Sequence, residues 1–308
     1  CNVVRWEKTT RPFLRTSEFL WQEGHTVHAT AEEAEEEAQT MLNVYREFAE
    51  NALAIPVFTG RKSEKEKCAG AVATYGMEAM MLDGKSLQSG TSHFLGKNFS
   101  KCFKINYLDK DGTLKNPYGT SWGVSTRLIG ALIMAHGDQR GLKLPPRVAP
   151  IQVVIVPVAA HKDGVKEKAL ELEAALKKAN VRVTVDLREQ SPGWKFNEWE
   201  MKGVPIRLEV GPRDIENSVA VMVSRDNLVK TTVKFDELEK TVWATLDAIH
   251  ENMYNASKEF THSHIVTAKN MDELTAGIEG KNFVKAMWCG CPECEAKIKE
   301  LTAATSRC

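Results

Sequence analysis

The 308-residue sequence has no surplus of either charge: 41 Lys and Arg stand against 41 Asp and Glu. A nucleic-acid partner would have to be met by a local patch, because no net positive field draws a polyanion in from a distance. No apolar run approaches the ~20 residues that cross a bilayer, and the start lacks the basic, apolar, small-residue order of a secretory signal. The seven cysteines are odd in number. Four of them, Cys289, Cys291, Cys294 and Cys308, crowd at the end, unlike the spread-out pairs of a secreted disulfide framework. Internal repeats and low-complexity tracts are also missing, so a cytoplasmic globular protein is the expectation. Its length suits about two domains with a sizeable core, and 43% hydrophobic and 27% charged residues are ordinary for that class.

The most informative stretch runs from Val3 to His25. A strand-like apolar pair bends at Arg11-Pro12 and returns through Phe13, Leu14, Phe19, Leu20 and Trp21, which predicts two strands joined by a polar loop. Onto this hairpin the sequence loads Arg5, Arg11, Arg15, Glu7, Glu18, Glu23 and His25, more charge than solubility needs. Cross-strand ion pairs on a solvated ribbon would account for an arbitrary hairpin of this kind.

The residues Arg5-Trp-Glu7 and Phe13-Leu-Arg-Thr-Ser-Glu-Phe-Leu-Trp-Gln-Glu-Gly-His25 resemble motif 2 of class II aminoacyl-tRNA synthetases, in the form carried by prolyl-tRNA synthetases of the archaeal and eukaryotic type. Asn116-Pro-Tyr-Gly-Thr-Ser-Trp-Gly-Val-Ser-Thr-Arg-Leu-Ile-Gly130 resembles motif 3, a Gly-rich strand feeding a helix that carries an arginine. Between them, Leu87 to Gly96 resembles the loop across the adenylate pocket, and Leu144 to Pro150 the exit into the anticodon-binding domain. Motif 1, which builds the dimer interface in that family, and its Thr-x-Glu loop have no counterpart, so the expectation is a fragment of a longer synthetase that begins inside motif 2 and whose activity alone is in question.

Downstream of the hairpin, Thr30 and Glu33 form a capping-box pattern ahead of Ala34, Ala38, Met41, Leu42, Tyr45, Phe48 and Ala49 at helical spacing, which predicts a helix ending near Ala52. Ile55–Gly60 is a short strand, and Arg61 to Lys67 is a charge run expected to be solvated. Tyr75, Met77, Met80 and Met81 are expected in the core. Leu128 to Met134 is a buried helix ending near Gly137 or Asp138, after which Pro145, Pro146 and Pro150 predict a stiff linker. Val153–Val158, Val165–Lys178 and Val181–Leu187 then read as strand, helix and strand, a βαβ unit with a parallel sheet. Val219–Ser224 is a further strand, and Phe235–Tyr254 a helix. The resemblance thus implies an α+β antiparallel-sheet class II catalytic core over 1–148, an α/β anticodon-binding domain over 149–254 and a small C-terminal α+β zinc-type domain over 255–308. With 127 − 5 = 122 positions between Arg5 and Arg127, there is no room for an inserted editing domain of the bacterial prolyl type, since a domain takes ~50 to 200 residues.

Family matching also implies roles. Arg5 would grip the α-phosphate of ATP and the proline carboxylate, with Glu7, Arg15 and Thr16 lining the nucleotide site. Gln88 and Thr91 would contact the nucleotide and its Mg2+, Ser125 the ribose region and Arg127 the terminal phosphate. Glu23 and His93 would face proline inside an apolar wall of Phe19, Trp21 and Trp122. Arginines suit such a site because they stay ionised and present planar bidentate donors to carboxylate and phosphate. Taken singly, His93 equally suits a structural histidine, Trp21 or Trp122 a core residue, and Arg127 a helix-face ion pair.

For tRNA(Pro), the segment Gly193-Trp-Lys-Phe-Asn-Glu-Trp199 offers Trp194 for stacking on unpaired bases, Lys195 for phosphate and Glu198 for a guanine edge. A hydrophobic corner of the domain is the competing reading. Near the end, Trp288-Cys-Gly-Cys-Pro-Glu-Cys294 resembles the family's C-terminal zinc site, with Cys289 and Cys294 as half of a tetrahedral set, Cys291 as an alternative to Cys289 and Cys308 as the later candidate. Reduced thiols in a turn before a helix fit the same residues. The function implied is activation of proline with ATP and transfer to tRNA(Pro), by a homodimer when full length. The rivals are a non-catalytic module derived from a synthetase, binding tRNA or protein, and a zinc-dependent nucleic-acid module.

Overall fold

The computed structural model describes residues 1–307 and divides into two compact units: 1–51, 55–135 and 258–307 form the first, and 52–54 with 136–257 the second. Cys308, the later zinc-ligand candidate, lies outside the described residues.

The first unit is built on a six-stranded sheet. Its strands are β1 (Asn2–Val4), β2 (Glu18–His28), β3 (Val57–Arg61), β4 (Ala73–Met80), β5 (Ser86–Gly96) and, after two short strands β6 (Tyr107–Leu108) and β7 (Leu114–Lys115), β8 (Tyr118–Ser125). The order is β1-β2-β8-β5-β4-β3, and every neighbouring pair is antiparallel. The hairpin expected at the start is present, closed by the Arg5 amide donating to the Ser17 carbonyl (2.8 Å).

One face of this sheet is covered by α1 (Ala31–Asn51), whose Ala34, Ala38, Leu42, Tyr45 and Ala49 are buried at the spacing the sequence shows. The capping box forms: the Thr30 hydroxyl accepts from the Glu33 amide (3.2 Å), and the Glu33 carboxylate accepts from the Thr30 amide (3.4 Å). Strand β4 is buried throughout, with Met77 and the following Met80 and Met81 in the core as expected. Helix α2 (Asn98–Cys102) is a short excursion, and α3 (Arg127–His136) leaves β8 through Thr126.

The second unit carries a mixed sheet of β9 (Val153–Pro157), β10 (Val183–Val185), β11 (Ile206–Val210), β12 (Val219–Ser224) and β13 (Lys230–Lys234), in the order β10-β9-β11-β12-β13. Strand β9 runs parallel to β10 and β11, with α4 (Val165–Lys178) as the expected crossover; β12 and β13 add antiparallel. Helices α5 (Pro192–Met201), α6 (Pro212–Glu216) and α7 (Leu238–Ser263) complete the run. Helix α7 continues nine residues past the Tyr254 boundary read from the sequence (254 to 263), because Ser257 and Thr261, poor helix formers when solvated, are buried at 9% and 1% exposure. The proline linker is a clamped strap: the Arg182 guanidinium donates to the carbonyls of Ala149 (2.8 Å), Pro146 (2.7 Å) and Arg147 (3.2 Å).

The C-terminal stretch is a small βαβ of β14 (Ile265–Ala268), α8 (Met271–Glu279) and β15 (Phe283–Ala286), with the two strands parallel, followed by α9 (Pro292–Thr302). Phe283 meets Phe58 of β3 at 5.7 Å between ring centroids. None of the helices is long and apolar enough to cross a membrane among the described residues.

Candidate active site

Alternation along the strands puts two different sets of side chains on the two faces of the first sheet. On the face toward α1, Gln22 accepts from the Tyr45 hydroxyl, and Ser92 donates to the Ala38 carbonyl (2.7 Å). On the other face, Trp21 and Glu23 of β2 stand across from Ser125 and Gly123 of β8, and Thr91 and His93 of β5 across from Gly123 and Ser121. This face forms the floor of a cleft of about 240 Å³, bordered also by Arg5, Phe19, Gln88 and Arg127.

A β-bulge shapes one wall. Between Met77 and Glu78 the register slips, so that Gly90 pairs with Met77 while Gln88 pairs with Glu78. The extra residue, Ser89, turns the strand and brings Gln88 to the cleft, a use of bulges common beside binding sites. Across from it, Gly130 of α3 lets the hairpin loop close in: a Cβ there would sit 2.7 Å from Leu14 Cδ2 and 3.2 Å from Phe13 Cβ.

The electrostatics of the cleft are positive. The Arg127 guanidinium donates to the backbone carbonyls of Leu14 (3.1 Å) and Gln88 (3.4 Å). Burial, then repulsion from Arg5 and Arg15, holds its pKa below the usual arginine value. Arg5 shares Glu7 with Arg15, at 2.9 and 3.8 Å, and lies over the Phe19 ring at 5.2 Å. Phe19 in turn meets Trp21 edge-on, with centroids 6.2 Å apart.

His93 is a neutral group here. Burial, followed by the charges of Lys62 and His25, pushes its pKa down to about 4. Its Nδ1 lies 3.0 Å from the Thr74 hydroxyl, which already accepts from the Cys68 amide at 3.0 Å.

The structure therefore gathers Arg5, Phe19, Trp21, Glu23, Gln88, Thr91, His93, Ser125 and Arg127 around one cleft. Glu7, Arg15 and the half-buried Thr16 stay on the hairpin, outside the lining set. Trp122 borders the cleft, yet its expected place in an apolar wall needs correction. It alternates with Ser121 and Gly123, so its indole goes to the α1 face, where it packs in the core with Leu42, Tyr45 and Met77. Lys62 was hidden in a charge run read as solvated; instead it is 8% exposed and donates to the Gln88 side chain. Nothing local marked it, since its burial depends on a strand distant in sequence.

In the second unit, Trp194 on α5 is 47% exposed and has the Arg188 guanidinium 5.1 Å from its ring centroid. The Lys195 expectation is overturned. It is 3% exposed, and its ammonium donates to the Asp186 carbonyl (3.0 Å) and lies 3.8 Å from the Asp186 carboxylate, because the Ser191 N-cap turns this residue inward. Glu198 is likewise engaged, by Arg188 (2.6 Å) and Lys202 (2.7 Å), which hold its carboxyl below the usual range. A guanine edge would have to displace those partners.

At the start of α9, Cys289, Cys291 and Cys294 bring their sulfurs within 4.8 Å of one another. Cys291, read from the sequence as a surplus or substitute thiol, joins both members of the expected pair. The Cys291 backbone, then the Cys294 thiol, draws the Cys289 thiol below its ordinary pKa, while Cys289 pushes Cys294 up. Zn–S bonds of about 2.3 Å place tetrahedral sulfurs roughly 3.8 Å apart, so three corners of a thiolate zinc site fit this cluster.

The family description "tRNA synthetase class II core domain (G, H, P, S and T)" matches residues 1–136. "Anticodon binding domain" matches 152–245, and "Prolyl-tRNA synthetase, C-terminal" matches 271–308. Curated relatives named proline--tRNA ligase, from Clostridium novyi (strain NT) and Alkaliphilus oremlandii (strain OhILAs), are each 60% identical over all of this chain, which spans 64% of their length. A crystal structure of prolyl-tRNA synthetase from Cryptosporidium parvum, complexed with L-proline and AMP, superposes with a TM-score of 0.95 at 42% identity, over 98% of this chain and 66% of that one. The antiparallel core with its arginine-lined cleft, the mixed sheet behind it in sequence and the C-terminal unit are those of one lineage: the chain belongs to the prolyl-tRNA synthetase family.

Proposed function

We propose that this chain carries the adenylation cleft, the tRNA-reading domain and the C-terminal unit of a proline–tRNA ligase. The observation that carries the reading is the pairing of the Arg5 and Arg127 guanidiniums with a neutral His93 around one cleft. A proline carboxylate oxygen would bond to the α-phosphorus of ATP while the α–β bridging oxygen leaves with pyrophosphate. Preorganised guanidiniums aimed at the charge that develops lower such a barrier without reorganising. Arg5 would hold the α-phosphate and carboxylate, and Arg127 the terminal phosphate, where relief of Arg–Arg repulsion favours an anion. Gln88, Thr91 and Ser125 would meet the nucleotide, and Phe19, Trp21, Glu23 and His93 the imino acid. Mg2+ would enter with the nucleotide and screen its phosphates. The adenylate is then consumed by the 3′ end of tRNA(Pro), whose anticodon loop would be read in the second unit, with Trp194 as the exposed stacking platform.

The domain limits 1–148, 149–254 and 255–308 belong to the same proposal, as do a homodimer of the full-length protein and a cytoplasmic location. A structural zinc would take Cys289, Cys291 and Cys294 as three of its ligands and rigidify the turn before α9. Metal analysis of full-length protein purified without chelator tests it, and protein free of zinc would refute it. The adenylation reading is tested by Arg5→Ala in the full-length protein. Proline-dependent exchange of pyrophosphate into ATP should fall by about 10² to 10³, as on removal of an oxyanion donor; exchange near the wild-type rate would sink the assignment.

A further inference from the structure

Lys62 is the buried cation of the first unit that no step above uses. Its side chain is 6% exposed, and its ammonium donates to Oε1 of Gln88. The Glu78 carboxylate, 1% exposed, lies 3.9 Å away and supplies the countercharge; its second oxygen accepts from Ser86 (2.7 Å). The strands are built to admit this side chain. Gly60 and Gly76 face each other across β3 and β4, and a Cβ on Gly76 would come within 2.9 Å of Lys62 Cε. The backbone carrying Lys62 is pinned as well. Its amide donates to the Thr74 carbonyl (2.8 Å), and the next residue, Ser63, donates from its hydroxyl to the Glu295 carboxylate of α9 (2.8 Å). Arg307 also approaches Glu78, to 4.0 Å.

An ammonium has three donors and no acceptor, whereas a primary amide has one oxygen and one NH2 group. A lysine that holds Gln88 can therefore hold only its carbonyl oxygen, which leaves the NH2 for whatever occupies the cleft. We propose that Lys62 is a positioning residue: it locks the Gln88 amide so that a hydrogen-bond donor, never an acceptor, faces the bound nucleotide. The ligand atom recognised is then an acceptor, a phosphate oxygen or a purine ring nitrogen, and the buried Lys62–Glu78 pair is kept to enforce that choice. Without the ammonium the amide can turn by half a rotation and present its oxygen to a polyanion, which repels it. The inference rests on the adenylation reading in one respect, the contact of Gln88 with nucleotide.

The test is a double-mutant cycle in the full-length protein, read as the KM for ATP and kcat of proline-dependent pyrophosphate exchange. Lys62→Met keeps the length of the side chain and removes the donors. Lys62→Met with Glu78→Gln repeats the measurement without a stranded buried carboxylate, so a folding defect does not masquerade as a result. Both should raise the KM for ATP roughly tenfold, the scale of one hydrogen bond to a charged group, with kcat changed less. In a Gln88→Ala background the same substitutions should shift KM by less than about twofold, because the amide they position is gone. An unchanged KM in the Lys62 variants, or an effect that persists undiminished beside Gln88→Ala, overturns the role of Lys62 while leaving the adenylation cleft intact. If Gln88→Ala itself leaves the KM for ATP unchanged, the nucleotide contact and the positioning role fall together.

Discussion

Arg127 in the first unit and Arg207 in the second show two uses of one side chain. Arg207 is 7% exposed and fully matched: Glu200 accepts at 2.8 Å, Glu209 at 2.9 Å, and the Phe196 ring lies 4.2 Å below the guanidinium. Around it Asp138 pairs with Arg225 (2.7 Å), and Asp186 takes Arg188 (2.6 Å) and the Trp199 indole (2.8 Å). Arg127 has backbone carbonyls where Arg207 has carboxylates, and Arg5 and Arg15 act on it more strongly than Glu78 and Glu7 do. Charge that is neutralised within the chain is architecture. Charge that is gathered and left to carbonyl dipoles waits for an anion.

Four experiments test that contrast. The largest effect is expected at Asp186→Ala. Burial alone would raise this carboxyl, yet the hydrogen bonds from Arg188 and Trp199 hold it well below the ordinary range. Removing it strands the buried Lys195, so denaturant unfolding should show a loss of about 3–5 kcal/mol, with proline activation intact wherever the protein is folded. A loss under 1 kcal/mol would mean that the second unit does not depend on its matched charges.

Arg127→Ala should do the reverse. Exchange of pyrophosphate into ATP should drop by about 10² to 10³, a transition-state loss of roughly 2.7–4 kcal/mol. The melting temperature should stay level or rise, since an unpaired, half-buried cation is removed. A fall in stability with exchange preserved would make Arg127 architecture after all. Trp194→Ala, by contrast, should weaken aminoacylation of tRNA(Pro) by about 1–3 kcal/mol, the value of one base stacked on an aromatic ring, and leave activation unchanged. Lys195→Met would instead destabilise the fold, and equal loss of both activities in Trp194→Ala would reassign the tryptophan to packing.

The smallest effect concerns protons, and both units share it. His93 and His136 are each pushed down to about 4, in both cases chiefly by burial. An unfolded histidine titrates near 6.5, so below that pH the unfolded chain binds protons that the folded one refuses. Their stability contribution is complete above pH 6.5 and is lost as pH falls from there to about 4, by roughly 1 kcal/mol per histidine near pH 5.5. Urea titrations at pH 7.5 and 5.5 would show it. His93→Gln should remove its share of the difference, and an unaltered difference would place a charged imidazole in the cleft.

Much of this protein could be read from patterns that are local. Thr30 and Glu33 announce α1 because a helix start leaves amides that nearby side chains must satisfy, and the period of Ala34, Ala38, Leu42 and Tyr45 names its buried face. The βαβ spacing of the second unit was legible for the same reason, and the arginine-bearing motifs pointed to the cleft through their resemblance to a known family. What depended on partners distant in the chain was not legible. Lys62 and Lys195 sit in segments that read as wet or as ligand-facing, yet Gln88 with Glu78 claims the first and Asp186 the second. The proline run was legible as a stiff linker, but not the Arg182 side chain that clamps it through three carbonyls. Trp122 was assigned to the right neighbourhood and the wrong face, because a strand's alternation shows which residues share a side but not which side meets the helix. Sequence by itself determined the elements, the order of the motifs and the chemistry on offer, since these follow from short-range periodicity and residue type. Only the tertiary structure decided which charges are spent on the fold and which remain for a ligand, because the energy of a buried charge is set by what lies within a few ångströms of it, whatever the separation along the chain.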